Sequence, residues 1–115
     1  MQIQVNAGHH IEAREALVAR VSADLSRALA RISDHITRIE VHLSDENGEK
    51  NGQHDHRCTL EARLERRQPV AVTHHAATLD LSVSGATSKL LRVIDSQFGR
   101  LEDRRRADDT RPAEI

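Results

Sequence analysis

Residues 56–75 read HRCTLEARLERRQPVAVTHH. Cys58, Leu60, Ala62 and Leu64 alternate with Arg57, Thr59, Glu61, Arg63 and Glu65. A two-residue period is what a strand with one buried and one wet face imposes. Arg66-Arg67-Gln68-Pro69 then turns the chain. Pro69 has no amide proton to give to a ladder, so it belongs at a strand start. Val70 to His74 reads as the returning strand. The stretch predicts an antiparallel hairpin whose apolar side chains share one face, and the rest of the chain must cover that face.

Upstream, Ile36 to Ser44 alternates in the same way, with Ile39, Val41 and Leu43 on one side and Glu40 and His42 on the other. Gln2 to Asn6 is a further alternating segment, ended by Ala7-Gly8. Between them, from about Glu12 to Ser33, the period lengthens. Leu17, Val21, Leu25, Ala28, Leu29 and Ile32 recur at three- and four-residue steps and form one helix face. Arg20, Asp24, Arg27 and Arg31 fall on the other side and read most simply as a solvated face of alternating charge.

Downstream, the helical period returns from about Thr78, with Val83, Ala86, Leu90, Ile94 and Leu101 in a stripe and Leu91 and Phe98 beside it. Gly85 inside this helix costs ~1 kcal/mol relative to Ala, which a close approach of helix to sheet would explain. Lys89, Arg92, Ser96, Arg100 and Arg104 share another face.

The order is β-α-β-β-β-α. The first two strands should pair parallel through a right-handed crossover, and the next two follow antiparallel. Since each strand has one apolar face, both helices belong on the same side of the sheet. The expected fold is an α+β two-layer sandwich of four strands and two helices, like a double-stranded-RNA-binding domain. It occupies residues 1–106, and residues 107–115 form a disordered acidic tail. Residues 45–55, rich in Gly, Asn and charge, read as a loop.

Composition narrows the possibilities. A chain of 115 residues makes one domain with a modest core. Phe98 is its sole aromatic residue, so that core is Leu, Ile, Val and Ala. A single cysteine cannot close an internal disulfide, which suits a reducing compartment. The N-terminus lacks the basic and apolar regions of a signal peptide. No stretch approaches the ~20 apolar residues of a membrane helix. A cytoplasmic domain is expected. The net charge is −1, but residues 45–55 carry −3 and residues 107–115 carry −2, which leaves a body of +4.

Residues 51–58, NGQHDHRC, crowd His54, Asp55, His56 and Cys58 together. Structural zinc takes two separated ligand pairs, which one cysteine does not supply. His9-His10 and His74-His75 should lie at the same rim as this stretch, so a histidine-based metal site is the alternative to a polar rim. No metal or other cofactor is expected. Ser82, Ser84 and Ser88 have no nucleophile-elbow context, and no phosphate loop occurs, so no enzyme and no small-molecule substrate is expected.

Binding to nucleic acid remains open. Single-strand readers stack bases on aromatic side chains, and this chain has none to spare. Phosphate and shape recognition of folded RNA by arginine fits better, and Arg outnumbers Lys 15 to 2. The candidate residues are Lys89, Arg92, Arg100 and Arg104–Arg106 on the last helix, with Arg63, Arg66 and Arg67 on the hairpin.

The opening MQIQVNAGHHIEAREAL, with Ile11, Glu15, Ala16 and Leu17, resembles the ribosome hibernation-promoting factor and ribosome-associated inhibitor family, also called the sigma-54 modulation family. RISDHITRIEVHLS resembles its second-strand segment, and HRCTLEARLERRQPVAVTHHAATLDLSVSGATSKLLRVIDSQFGRL its last two strands and helix. Val83, Lys89, Leu90 and Arg92 fall on matching helix positions. The resemblance covers about residues 1–103. It implies a short-form factor that binds small-subunit ribosomal RNA in the mRNA and tRNA channel and idles ribosomes in stress or stationary phase. Asp80 stands where the family usually has Tyr, and Asp95 and Ser96 stand where basic or amide residues are expected. A stress-related protein-interaction module that no longer binds ribosomes is therefore the competing expectation, beside the metal site.

Overall fold

A computed structural model describes residues 1–8, 14–45 and 56–110, with side chains over 1–8, 15–45 and 56–97. The elements are β1 (Gln2–Ala7), α1 (Arg14–Ala28), a 3-10 segment (Ala30–His35), β2 (Ile36–Asp45), β3 (His56–Leu64), β4 (Val70–Ala76) and α2 (Leu79–Thr110). The sheet order is β1-β2-β3-β4, with β1 parallel to β2 and the remaining pairs antiparallel. This is the expected two-layer α+β sandwich.

One core joins both helices to one face of the sheet. Leu17, Val21 and Leu25 of α1 and Val83, Ala86, Leu90 and Ile94 of α2 are buried with Ile39, Val41, Leu43, Cys58, Leu60 and Ala62. Each Leu or Ile so buried contributes about 1.5–3 kcal/mol. The other face carries Arg38, Glu40, His42, Ser44, Arg57, Thr59, Glu61 and Arg63, whose register partners across β2–β3 are one another.

Two local features go beyond the period. Ile36 and Ile39 are both buried although they stand three positions apart, a step that alternation assigns to opposite faces. A register shift between Ile36 and Arg38 makes this possible. Such a bulge adds one residue to a strand and re-aims what precedes it, and here Thr37 Oγ1 donates to the Arg63 carbonyl at 3.0 Å. The first helix also ends sooner than its apolar period suggests. The α-helix stops at Ala28 and the chain tightens to 3-10 geometry over Ala30–His35. The Ile32 amide bonds the Leu29 carbonyl at 3.1 Å. The tighter turn still buries Ile32 while delivering Ile36 to the sheet.

Thr78 caps α2. Its Oγ1 accepts from the Leu81 amide at 3.1 Å, which satisfies one of the free N–H groups of a helix start. Gly85 has the close neighbour its placement suggested. A Cβ there would stand 2.1 Å from Cδ2 of His74, so the imidazole occupies the space a side chain would need. α2 continues through Thr110, past the boundary expected at Arg106, and 111–115 lie outside the described residues. Of the stretch 45–55 expected to be a loop, Asp45 ends β2 and residues 46–55 lie outside the described residues, as do His9-His10.

Candidate nucleic-acid interface

The parallel β1–β2 crossover and the β4–α2 return make α1 and α2 run the same way. Cross-helix contacts at nearly constant sequence offset follow. Arg20 Nη2 donates to Asp80 Oδ1 at 2.6 Å, and Arg31 Nη2 donates to Asp95 Oδ2 at 2.6 Å. Arg27 pairs with Asp24 one turn before it. The stripe Arg20, Asp24, Arg27 and Arg31 is thus only partly the solvated face it resembles in sequence, because two of its arginines reach the neighbouring helix. The hydrogen bond to Asp95, and then its charge, raise the Arg31 pKa above its ordinary value. Between the helices lies an open groove of about 490 Å³, with Val21, Ala28, Val83 and Leu91 among its apolar lining and Ser84, Thr87 and Ser88 along α2.

Lys89 and Arg92 lie further round α2. Lys89 Nζ donates to the Thr73 carbonyl on the edge strand at 2.8 Å. Arg92 is exposed, and no ion pair or hydrogen bond engages it among the described residues. Seven residues of β4, at ~3.3 Å each, span the same length as about fifteen helical residues. α2 therefore returns to the level of the β3–β4 turn near Arg92, at the end of the molecule that carries Arg66 and Arg67. Arg66 is exposed and has φ 60. This left-handed conformation costs a non-glycine residue about 1–2 kcal/mol, yet an arginine occupies the turn.

Arg63 stands apart from that group. It is on the open face of the sheet, opposite Arg38, with Glu40 opposite Glu61 beside it. Each arginine pairs with the glutamate two residues along its own strand, Arg38 with Glu40 at 2.9 Å and Arg63 with Glu61 at 4.0 Å. The backbone of α2 carries Arg100 and Arg104, whose side chains lie outside the described residues. The sequence-derived set therefore divides into Lys89 and Arg92 on the helix layer, Arg66 and Arg67 at the turn, and Arg63 on the far face. Arg20 and Arg31 were not in it. Their signal was a cationic stripe on α1 and the 3-10 segment after it, which gains meaning only once α2 lies beside it.

Of the expected histidine rim, His56, His74 and His75 lie among the described residues. Cys58 pairs with His74 and Arg57 with His75 across β3–β4, so His74 faces α2 and His75 faces away. No group of three or more metal-ligating side chains occurs among the described residues. His54 and Asp55 lie outside them. His56 Nδ1 is shielded and unpartnered among the described residues. Burial pushes the Cys58 thiol up to about 12, which keeps it protonated and unreactive. No helix among the described residues is long and apolar enough to cross a membrane.

The architecture defines the class: a mixed four-stranded sheet with two parallel helices on one face and a basic end. The family follows from the chain itself. A model of the sigma 54 modulation protein / S30EA ribosomal protein family matches residues 4–102, and this chain belongs to that ribosome-associated family. The crystal structure of the Thermus thermophilus Protein Y N-terminal domain matches with TM-score 0.63 and 23% identity, over 88% of this chain and 99% of that one. A ribosomal subunit interface protein from Coxiella burnetii matches with TM-score 0.53 and 15% identity, over 90% and 99%. At these identities the likeness establishes the fold. A search of curated proteins finds no match.

Proposed function

We propose that this protein is a cytoplasmic hibernation factor that binds small-subunit ribosomal RNA in the mRNA and tRNA channel and blocks it by occupancy. The observation that carries the reading is the family match over residues 4–102. The geometry is compatible with it. Among the described residues Arg92 is exposed and unpaired and Lys89 is tethered to an edge carbonyl, and Arg66 and Arg67 lie at the same end. Arginine forks and lysine ammonium groups suit phosphate, and phosphate contacts position a protein without needing aromatic stacking. Occlusion needs no chemistry.

The test is co-sedimentation with purified ribosomes and separated subunits across a salt series. Binding to the small subunit should fall with a log–log slope of about 0.7–0.9 per phosphate neutralised. A Lys89→Ala/Arg92→Ala variant that binds as tightly as the wild type would remove this site. Absence of binding even at low salt would favour a protein-interaction module instead.

A further inference from the structure

Over residues 79–97, the part of α2 whose side chains are described, the carboxylates are Asp80 and Asp95, and each is bonded to an arginine of the neighbouring helical segment. The remaining arginine of that segment with a described side chain, Arg27, pairs with Asp24. The described cations of that segment are therefore closed, while Lys89 and Arg92 pair with no carboxylate among the described residues.

These closures are weakly held. Side-chain exposure is 54% and 71% for Arg20 and Asp80, and 62% and 46% for Arg31 and Asp95. Solvent screens such pairs, so they add little as staples between helices. A guanidinium fork donates to carboxylate and to phosphate oxygens in the same geometry. Asp80 and Asp95 are fifteen residues apart on α2, ~22 Å at the helical rise, so the two arginines would meet different phosphates.

We propose that Asp80 and Asp95 compete with RNA phosphate for Arg20 and Arg31, forming a latch that ribosomal RNA opens at two separated points. The latch rests on the RNA-binding reading given above. In the free protein the arginines are satisfied internally. RNA that presents phosphates at both positions takes them over, and RNA that reaches only Lys89 and Arg92 does not. The acidic residues thus lower affinity for arbitrary RNA and reserve full contact for a surface of matching shape.

The test is equilibrium binding of the full chain to purified small ribosomal subunits over a potassium chloride series, with melting temperatures measured alongside. The Asp80→Asn/Asp95→Asn variant should bind tighter at low salt, by about twofold to fivefold per pair, the range that exposed ion pairs span. The gain should fade as salt screens the pairs. Adding Arg20→Gln/Arg31→Gln should abolish the gain, while the same change in the wild type should cost less.

Unchanged or weaker binding by the Asn variant at an undiminished melting temperature overturns the latch. If Lys89→Ala/Arg92→Ala still loses affinity in that experiment, the RNA reading survives on its own. Should the double Asn variant melt early, the single variants Asp80→Asn and Asp95→Asn decide by the same criterion. Absence of binding by both wild type and Asn variants overturns the latch and the RNA reading together.

Discussion

The helix layer and the open face of the sheet carry the same charged groups in different arrangements. On the sheet, Arg38 and Arg63 sit opposite each other, and each is answered by a glutamate on its own strand. On the helices, Arg20 and Arg31 are answered by carboxylates of another element, and Arg92 has no such answer among the described residues. Pleat geometry holds a residue and its second neighbour on one face, so the sheet's glutamates accompany its arginines wherever they turn. A carboxylate on a separate helix can be outcompeted without disturbing the strand ladder. Availability of a cation thus depends on which element holds its partner, and total charge does not report it.

The sharpest test of the contrast compares cation removal on the two faces. Lys89→Ala/Arg92→Ala should weaken small-subunit binding by about tenfold to a hundredfold, since hydrogen bonds to charged groups contribute about 1.5–3 kcal/mol each before compensation. Arg38→Ala/Arg63→Ala should change it by less than about threefold, within the range of exposed pairs. Equal losses in filter-binding or sedimentation assays would erase the distinction and extend the interface around the sheet.

Next comes the packing that joins the two layers. Gly85→Ala should destabilise the fold by about 1–3 kcal/mol, the usual cost of overpacking, despite alanine's better helix propensity. The added methyl meets the His74 ring. A His74→Ala change in the same chain should restore stability, and a thermal melt that shows no such rescue would reject the contact as the cause.

Arg66 separates stability from binding. Arg66→Gly should raise stability by up to about 1 kcal/mol by relieving the left-handed backbone, and it should lower RNA affinity severalfold. A variant that is more stable and binds equally well would take the turn out of the interface.

The smallest effect is expected at Cys58. An unfolded thiol titrates near ~8.5, whereas burial holds the native one near 12. The folded pKa is raised, so the contribution of the neutral thiol is complete below the unfolded value and is lost as pH rises toward the native one. Melting temperature should fall more steeply above about pH 9 for the wild type than for Cys58→Ala, and the native thiol should resist alkylation at neutral pH.

Strand alternation from Cys58 to Leu64 and helical spacing from Val83 to Ile94 were enough to place the layers, because each period has one face to bury. The bulge at Thr37 was hidden, since alternation alone assigns Ile36 and Ile39 to opposite faces. The end of α1 was hidden too. Leu29 and Ile32 fit an α-helical stripe, and only the need to enter β2 tightens the chain there. Lys89 and Arg92 were legible as a cationic face. The partners of Arg20 and Arg31 lie sixty or more residues away, and no local period encodes that.

By itself, the sequence determined the element order, the apolar face of each element and the aliphatic character of the core. These are properties of residues within a few positions of one another, governed by backbone periodicity. Tertiary structure decided which charges are closed, which carboxylate closes them and why Gly85 carries no side chain. Those depend on distances across elements, and an ion pair or an imidazole acts only over a few ångströms.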